Sequence, residues 1–418
     1  MEDIPYGQPI ESGLVADLAG YVPAAAVESR LLRREMRYKL RAALRQVSSL
    51  KRLRTCGLTL GSDIIVRCKD GVHHFAGMGR KKDDAHPFLG MSTCGSSFVC
   101  PVCAAKVRHH RANEVSRAVV SALDQGMSGL FVTSTIPHSA EHRLGVTLNL
   151  LAEGRRYVAN QSVVKVLRRE IGYLGSITAL EITYGFNGWH PHNHKVEVFE
   201  HEVTLADFAA LSSVYYEYLS RFYSRNGFEG LSRQHGIRIE QVQLDGVALA
   251  RYIAKVGEGA AIRLHTAQEL TRSDLKHGRA GSIMPFDIAC GFFETGDMEL
   301  LDLWHEYEQE TRFKSALRFT EGLRARLLPD EPDDPDKKVP EKKIGGDDVL
   351  RIAGWYYRKL ARVPGLEGKV LTALDTGGFA ALVELLAAYR LDDPGKYWLL
   401  EGEASDGAGG YYQVGDTS

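Results

Sequence analysis

Residues 188–199, Gly-Trp-His-Pro-His-Asn-His-Lys-Val-Glu-Val-Phe, constrain this chain more than any other stretch. Three histidines, His190, His192 and His194, fall at alternate positions. Residues i and i+2 of a β-strand point to the same face, so His192 and His194 can present two imidazoles to one point. Pro191 has no N–H to donate, which fits a strand start or edge. Residues 176–184 are rich in β-branched side chains and also read as a strand. Between them, Gly185-Phe186-Asn187-Gly188 is a turn signal. A hairpin centred on that turn sets Glu181 beside both His192 and His194, because cross-strand partners share a face. Two imidazoles and a carboxylate, with positions left for water and substrate, suit Mg²⁺ or Mn²⁺ acting on phosphate. The bland alternative is a set of solvated strand histidines.

Length and composition permit a packed protein around this hairpin. The 418 residues are 44% hydrophobic and 25% charged, enough for two or three domains. No run approaches the ~18–20 apolar residues of a membrane span. The first residues, Met-Glu-Asp-Ile-Pro, lack the basic and apolar regions of a secretory signal. The six cysteines are few for this length, so a reducing cytoplasm, with some thiols on metal, is expected. Net charge is −1, yet residues 28–54 hold ten Lys/Arg and two Glu. That block predicts a local basic face. Arg34, Arg37, Arg41 and Arg45 there, with Lys106, Arg108 and Arg111 further on, are candidate DNA contacts; a solvated helix is the competing reading.

An apolar stripe from Leu31 to Leu44 predicts a helix over about 27–47. The following segment carries Cys56, Cys68, Cys94, Cys100 and Cys103. Cys100-Pro101-Val102-Cys103 is a compact knuckle, and Cys56-Gly57 and Cys94-Gly95 repeat a Cys-Gly pair. Tetrahedral Zn²⁺ takes four thiolates or imidazoles, often from two tight turns. Cys56, Cys94, Cys100 and Cys103 are therefore the expected ligands, with Cys68 in reserve and His73 and His74 behind it. A redox Cys-x-x-C pair is the rival, and two further cysteines nearby argue against it.

From 130 to 256 the pattern reads strand, helix, strand, strand, helix, strand, helix. Hairpin-connected strands with interleaved helices predict an α+β fold with a mainly antiparallel sheet. The last helix, 245–255, carries Tyr252 and Lys255 one turn apart. A lysine beside a tyrosine favours phenolate, and so a nucleophile. Taken alone, Tyr-x-x-Lys is a common surface pattern.

In this order the features resemble the rolling-circle plasmid replication initiators (Rep proteins) of the HUH endonuclease superfamily, over about residues 50–330. Phe131-Val-Thr-Ser-Thr-Ile-Pro-His138 is similar to the first motif, His190-Pro-His-Asn-His194 to the metal motif and Tyr252-Ile-Ala-Lys255 to the catalytic motif. Residues 313–324 resemble the Ser-Lys-Gly-Leu-Arg region. Asn193 departs from the apolar residue of the superfamily. Ala248 stands where some relatives carry a terminating carboxylate, with Asp245 and Glu258 as substitutes.

The resemblance implies a nickase and strand transferase. Glu181, His192 and His194 would hold Mg²⁺ or Mn²⁺. Tyr252 would form a 5′-phosphotyrosine, supported by Lys255. Partners would be plasmid origin DNA, single-stranded and duplex, with a host helicase and polymerase, in the bacterial cytoplasm and away from membranes. The implied organisation is a basic helical region (1–50), a zinc module with a basic helix (51–125), an HUH-like nickase domain (126–262), a mixed helical extension (263–327), a linker (328–346) and a small helical C-terminal module with a loose tail (347–418). Alternatives are a rolling-circle transposase, a non-catalytic zinc DNA-binding regulator, and a histidine-triad nucleotide hydrolase. The last prefers apolar residues where Pro191, Asn193 and Lys195 stand.

Overall fold

The computed structural model describes residues 24–59, 62–69, 71–77, 91–241, 282–329, 347–392 and 397–399. In chain order these form α1 (Ala24–Val47), α2 (Lys51–Arg54), β1 (Ile64–Lys69), β2 (Val72–Gly77), α3 (Pro101–Asp124), β3 (Ser128–Thr135), α4 (Leu144–Asn160), α5 (Ser162–Glu170), β4 (Tyr173–Gly185), β5 (Gly188–Phe199), α6 (Leu205–Arg225) and β6 (Ile237–Gln241). They continue with α7 (Pro285–Thr295), α8 (Met298–Glu310), β7 (Leu317–Phe319), α9 (Leu323–Leu327), β8 (Asp347–Ile352), α10 (Gly354–Arg362), α11 (Leu366–Ala388) and β9 (Tyr397–Leu399). The fold is α+β, and every strand pairing is antiparallel.

The β4–β5 hairpin is the centre of a five-stranded sheet of order β6-β3-β5-β4-β7. Alternation divides its side chains between two helical layers. Phe131, Ile177, Val196 and Val198 pack with Val115, Ala118 and Val119 of α3 and Leu323 and Leu327 of α9. On the opposite face Leu130, Val132 and Phe199 pack with Val158, Val164, Leu211, Tyr215 and Tyr223 from α4, α5 and α6. Helix α6 begins in a capping box, with the Thr204 hydroxyl accepting from the Asp207 N–H and Asp207 accepting from the Thr204 N–H. Pro191 lies one residue past the end of the β3 ladder, where Thr135 stands opposite His192. Its carbonyl accepts from the Thr135 hydroxyl at 3.5 Å. The Pro191 nitrogen therefore faces the side on which β3 has stopped, and no ladder bond is lost.

Two sequence expectations differ from the structure. The single helix read across 145–170 is two, broken where Gln161 is extended (ψ 136°) and its side-chain amide bonds back to the Tyr157 carbonyl at 2.9 Å. In the mixed extension 263–327, the short strand β7 pairs with β4. The C-terminal residues are not a separate helical module: β8 lies between β1 and β9 in a second sheet of order β2-β1-β8-β9. One core joins Leu40, Leu44 and the cysteines Cys56, Cys94, Cys100 and Cys103 to Leu350, Tyr357, Val370 and Leu386.

By length and composition α11 could cross a membrane, a span the sequence reading passed over. Here Glu367 of α11 is buried against Arg41 at 2.6 Å, and Asp375 meets Arg34 at 2.8 Å. The two acids of α11 are thus neutralised by a neighbouring helix, while 28% of its apolar window is buried inside the protein.

Candidate metal centre

The hairpin register sets Glu181 opposite His192 and Ala179 opposite His194. Glu181 Oε2 is 2.7 Å from His192 Nε2 and 3.1 Å from His194 Nε2. The three side chains are 21%, 16% and 7% exposed, so the group sits at a rim with room for a further ligand. Burial acts to raise the Glu181 carboxyl, but hydrogen bonds from His192 and His194 outweigh it and hold it well below the ordinary carboxylate range.

The outer contacts orient both imidazoles. His192 Nδ1 faces the His190 carbonyl at 3.5 Å, an acceptor for its proton when Nε2 is on a metal rather than donating to Glu181. His194 Nδ1 is 3.2 Å from the Thr133 hydroxyl. With Nδ1 occupied, Nε2 is the atom each ring offers to a metal. Thr133 and Thr135 stand opposite His194 and His192 on β3, on the same face. Both threonines belong to the Phe131–His138 segment that resembles the first motif, and their alternate spacing puts them on the histidine face.

His190 shares this face but stays out of the cluster. Its Nε2 is 3.3 Å from the Thr135 hydroxyl, and its ring packs edge-on to His138 at 4.7 Å. Burial, then His192 and His138, push His190 down to about 4. Beside Glu181, the half-buried Arg108 of α3 lines a cavity of about 20 Å³ with Phe98, Met284, Phe286 and Tyr307.

The second centre is built from turns. Cys56, Cys94, Cys100 and Cys103 are buried free thiols whose sulfurs all lie within 4.8 Å of one another. Cys56 Sγ is 3.6 Å from Cys100 Sγ and 3.5 Å from Cys103 Sγ. A tetrahedron with ~2.3 Å zinc–sulfur bonds has edges of about 3.8 Å, so the four sulfurs fit such an ion. Gly57 and Gly95 take positive φ (81° and 65°), which explains the repeated Cys-Gly pair. Burial raises the Cys100 thiol, while hydrogen bonds from Cys100 and Cys56 hold Cys103 well below the thiol range. The four thus share protons as one group. Cys68 lies on β1 opposite His73, apart from the cluster.

The candidate DNA contacts scatter. Arg34, Arg41 and Arg45 turn inward: Arg34 to Asp375, Arg41 and Arg45 to Glu367, and Arg45 also to the Cys56 carbonyl at 2.7 Å. Arg111 pairs with the buried Glu114 at 2.7 Å. Arg37 and Arg108 are half-buried and Lys106 is exposed. Three arginines of the basic block on α1 thus face the two acids of α11, Glu367 and Asp375. Tyr252 and Lys255 lie outside the described residues.

A hairpin that gathers a carboxylate and two imidazoles, beside four clustered thiols, defines a protein with two sites able to hold metal. The sequence is similar to Protein rep of Streptomyces lividans, 30% identical over 336 residues, covering 64% of this chain and 72% of that protein. The chain belongs to this Rep family of plasmid proteins. A 133-residue stretch is 33% identical to a neomycin resistance protein of Streptomyces cyanogenus, covering 26% of this chain and 30% of that protein. No protein-family profile and no solved structure matches.

Proposed function

We propose that this protein initiates rolling-circle replication of a plasmid by cutting one strand of the origin and later rejoining it. The observation that carries this reading is the convergence of Glu181, His192 and His194 on one point in a chain of the Rep family. Mg²⁺ or Mn²⁺ bound there would polarise the scissile phosphate and offset its growing charge. Glu181 supplies the negative charge of the site, and the two histidines aim Nε2 at the same point.

Tyr252 is the nucleophile. Its phenolic oxygen bonds to phosphorus, the bond from phosphorus to the 3′ oxygen breaks, and the tyrosine proton is given up as the 3′ oxygen gains one. The products are a 5′-phosphotyrosine and a 3′-hydroxyl that primes a host polymerase. Lys255, three residues on, favours the phenolate. The four thiolates leave no position open for substrate, which suits structural Zn²⁺. Lys106 is the exposed cation of the candidate set for duplex phosphates. The sequence holds no G-x-x-x-x-G-K-[ST] phosphate loop, so unwinding falls to a host helicase.

The test is incubation with a labelled single-stranded origin library and Mn²⁺, followed by denaturing electrophoresis. Wild-type protein should give a shortened strand and a covalent protein–DNA adduct. Tyr252→Phe should give neither. Cleavage by the Phe variant, or an adduct mapped to another tyrosine, would overturn the assignment.

A further inference from the structure

Phe186, at the tip of the β4–β5 hairpin, is 98% exposed. Burying a phenylalanine side chain is worth roughly 1.5–3 kcal/mol, and here that gain is forgone. The tip is nonetheless firmly braced. Directly behind it Tyr184 and Trp189 meet edge-to-face at 5.0 Å. Trp189 stacks on Tyr307 at 5.8 Å and donates its indole N–H to Glu306 at 2.9 Å. A Cβ on Gly188 would stand 3.0 Å from the Ala140 Cα, so the turn abuts the loop after β3. The ring is held away from the body of the protein by rigid supports.

Its position relates it to the metal centre. His194, His192 and His190 run along one face of β5 toward the tip, with His138 packed on the last. At about 3.3 Å per residue, Phe186 stands on the order of 20 Å from His192. Near Tyr184, on the hairpin face opposite to the histidines, opens a groove of about 660 Å³ lined by Glu299, Asp302, Glu306 and Glu310 with Arg143 and His305. Its carboxylates outnumber its basic side chains, so phosphate is disfavoured there relative to the histidine side. The turn neighbours of Phe186 are Gly185, Asn187 and Gly188. That leaves one bare ring rather than an apolar patch, and one ring matches the face of one base better than a protein surface.

We propose that Phe186 is a stacking platform for an unpaired base of the DNA strand held at Glu181, His192 and His194. This rests on the nickase reading above. Base–aromatic stacking works with any base, so Phe186 adds affinity and fixes the strand's path without reading sequence.

The test uses the full chain with fluorescein-labelled oligo(dT). Phe186→Ala should weaken binding roughly 5- to 100-fold, and Phe186→Trp should restore it. Melting of both variants should match wild type, because the side chain packs on nothing. Photo-crosslinking to a strand containing 5-bromodeoxyuridine should label the peptide that carries Phe186. Unchanged binding by the Ala variant, while wild type still cleaves single-stranded DNA, removes the stacking role and leaves the nickase reading standing. A wild-type chain that neither cleaves nor binds single strands removes both. A change in oligomeric mass in Phe186→Ala with unchanged DNA binding identifies the tip as a protein contact and overturns the proposal.

Discussion

The two sites able to hold metal are assembled in opposite ways. The Glu181–His192–His194 group is local: one hairpin supplies all three side chains, and the cluster is partly open. The four cysteines come from three separate segments, are buried, and sit in a core shared by both ends of the chain. A local, open group can lose its ion without losing its scaffold. A closed group spanning distant segments cannot, because the ion substitutes for packing between them. Chemistry is expected at the first site and folding energy at the second.

The largest effect should come from the cysteines. Structural zinc sites contribute on the order of 10–16 kcal/mol, comparable to the whole stability of a domain. Cys100→Ser should remove about one bound Zn²⁺ per chain and unfold the region around β1 and β8, as read by metal analysis and circular dichroism. A folded, zinc-replete variant would break the contrast. Next comes His192→Ala, which should lower cleavage by more than the ~10–100-fold typical of outer-contact losses while melting stays near wild type. His190→Ala should be milder. If His190→Ala is inactive and Glu181→Ala active, the third ligand is His190.

The odd-numbered face of β5 offers a third test. Glu197 is fully buried against Arg168 and Lys195, each at 2.5 Å, and accepts from the Tyr215 hydroxyl at 2.7 Å. Burial raises its carboxyl, but Lys195 and Arg168 outweigh this and hold it at about 2. Its folded value lies below the unfolded ~4.3, so its contribution to stability is present above about pH 4.3 and is lost as pH falls toward 2. Glu197→Gln should destabilise by ~3–5 kcal/mol at neutral pH, leaving two buried cations unpaired. It should also flatten the acid slope, as urea titrations at pH 7 and pH 3 would show. An unchanged slope would mean that other groups set the acid sensitivity. The smallest effect is Thr133→Val, which removes the partner of His194 Nδ1. Mn²⁺ affinity should fall about 10–100-fold by calorimetry, and an unchanged affinity would show that Thr133 does not orient the ligand.

What was legible in the sequence tracks chain separation. The hairpin could be registered by hand because its turn is four residues and its side chains alternate. The thiols could be selected because a Cys-x-x-C and two Cys-Gly turns leave local marks. The partners of α1 were not legible. Nothing near Arg41 announces Glu367, which lies 326 residues away, and basic residues on an amphipathic helix look alike whether water, phosphate or a buried acid faces them. The strand β8 was hidden likewise, since six residues beside two helices carry too little pattern to show that another sheet awaits them.

That same separation sets a timetable for synthesis. Arg41 leaves the ribosome 326 residues before Glu367, roughly 20–60 s at about 5–20 residues per second. The strands β3 to β7 emerge during that wait and can close their sheet. Meanwhile β1 keeps an unpaired edge toward the place of β8, a template for pairing with other chains. Arg34 and Arg41 are also without their acids until α11 is made. A ribosome that stalls before β8 would release a chain with its hairpin centre formed and its first sheet open to aggregation.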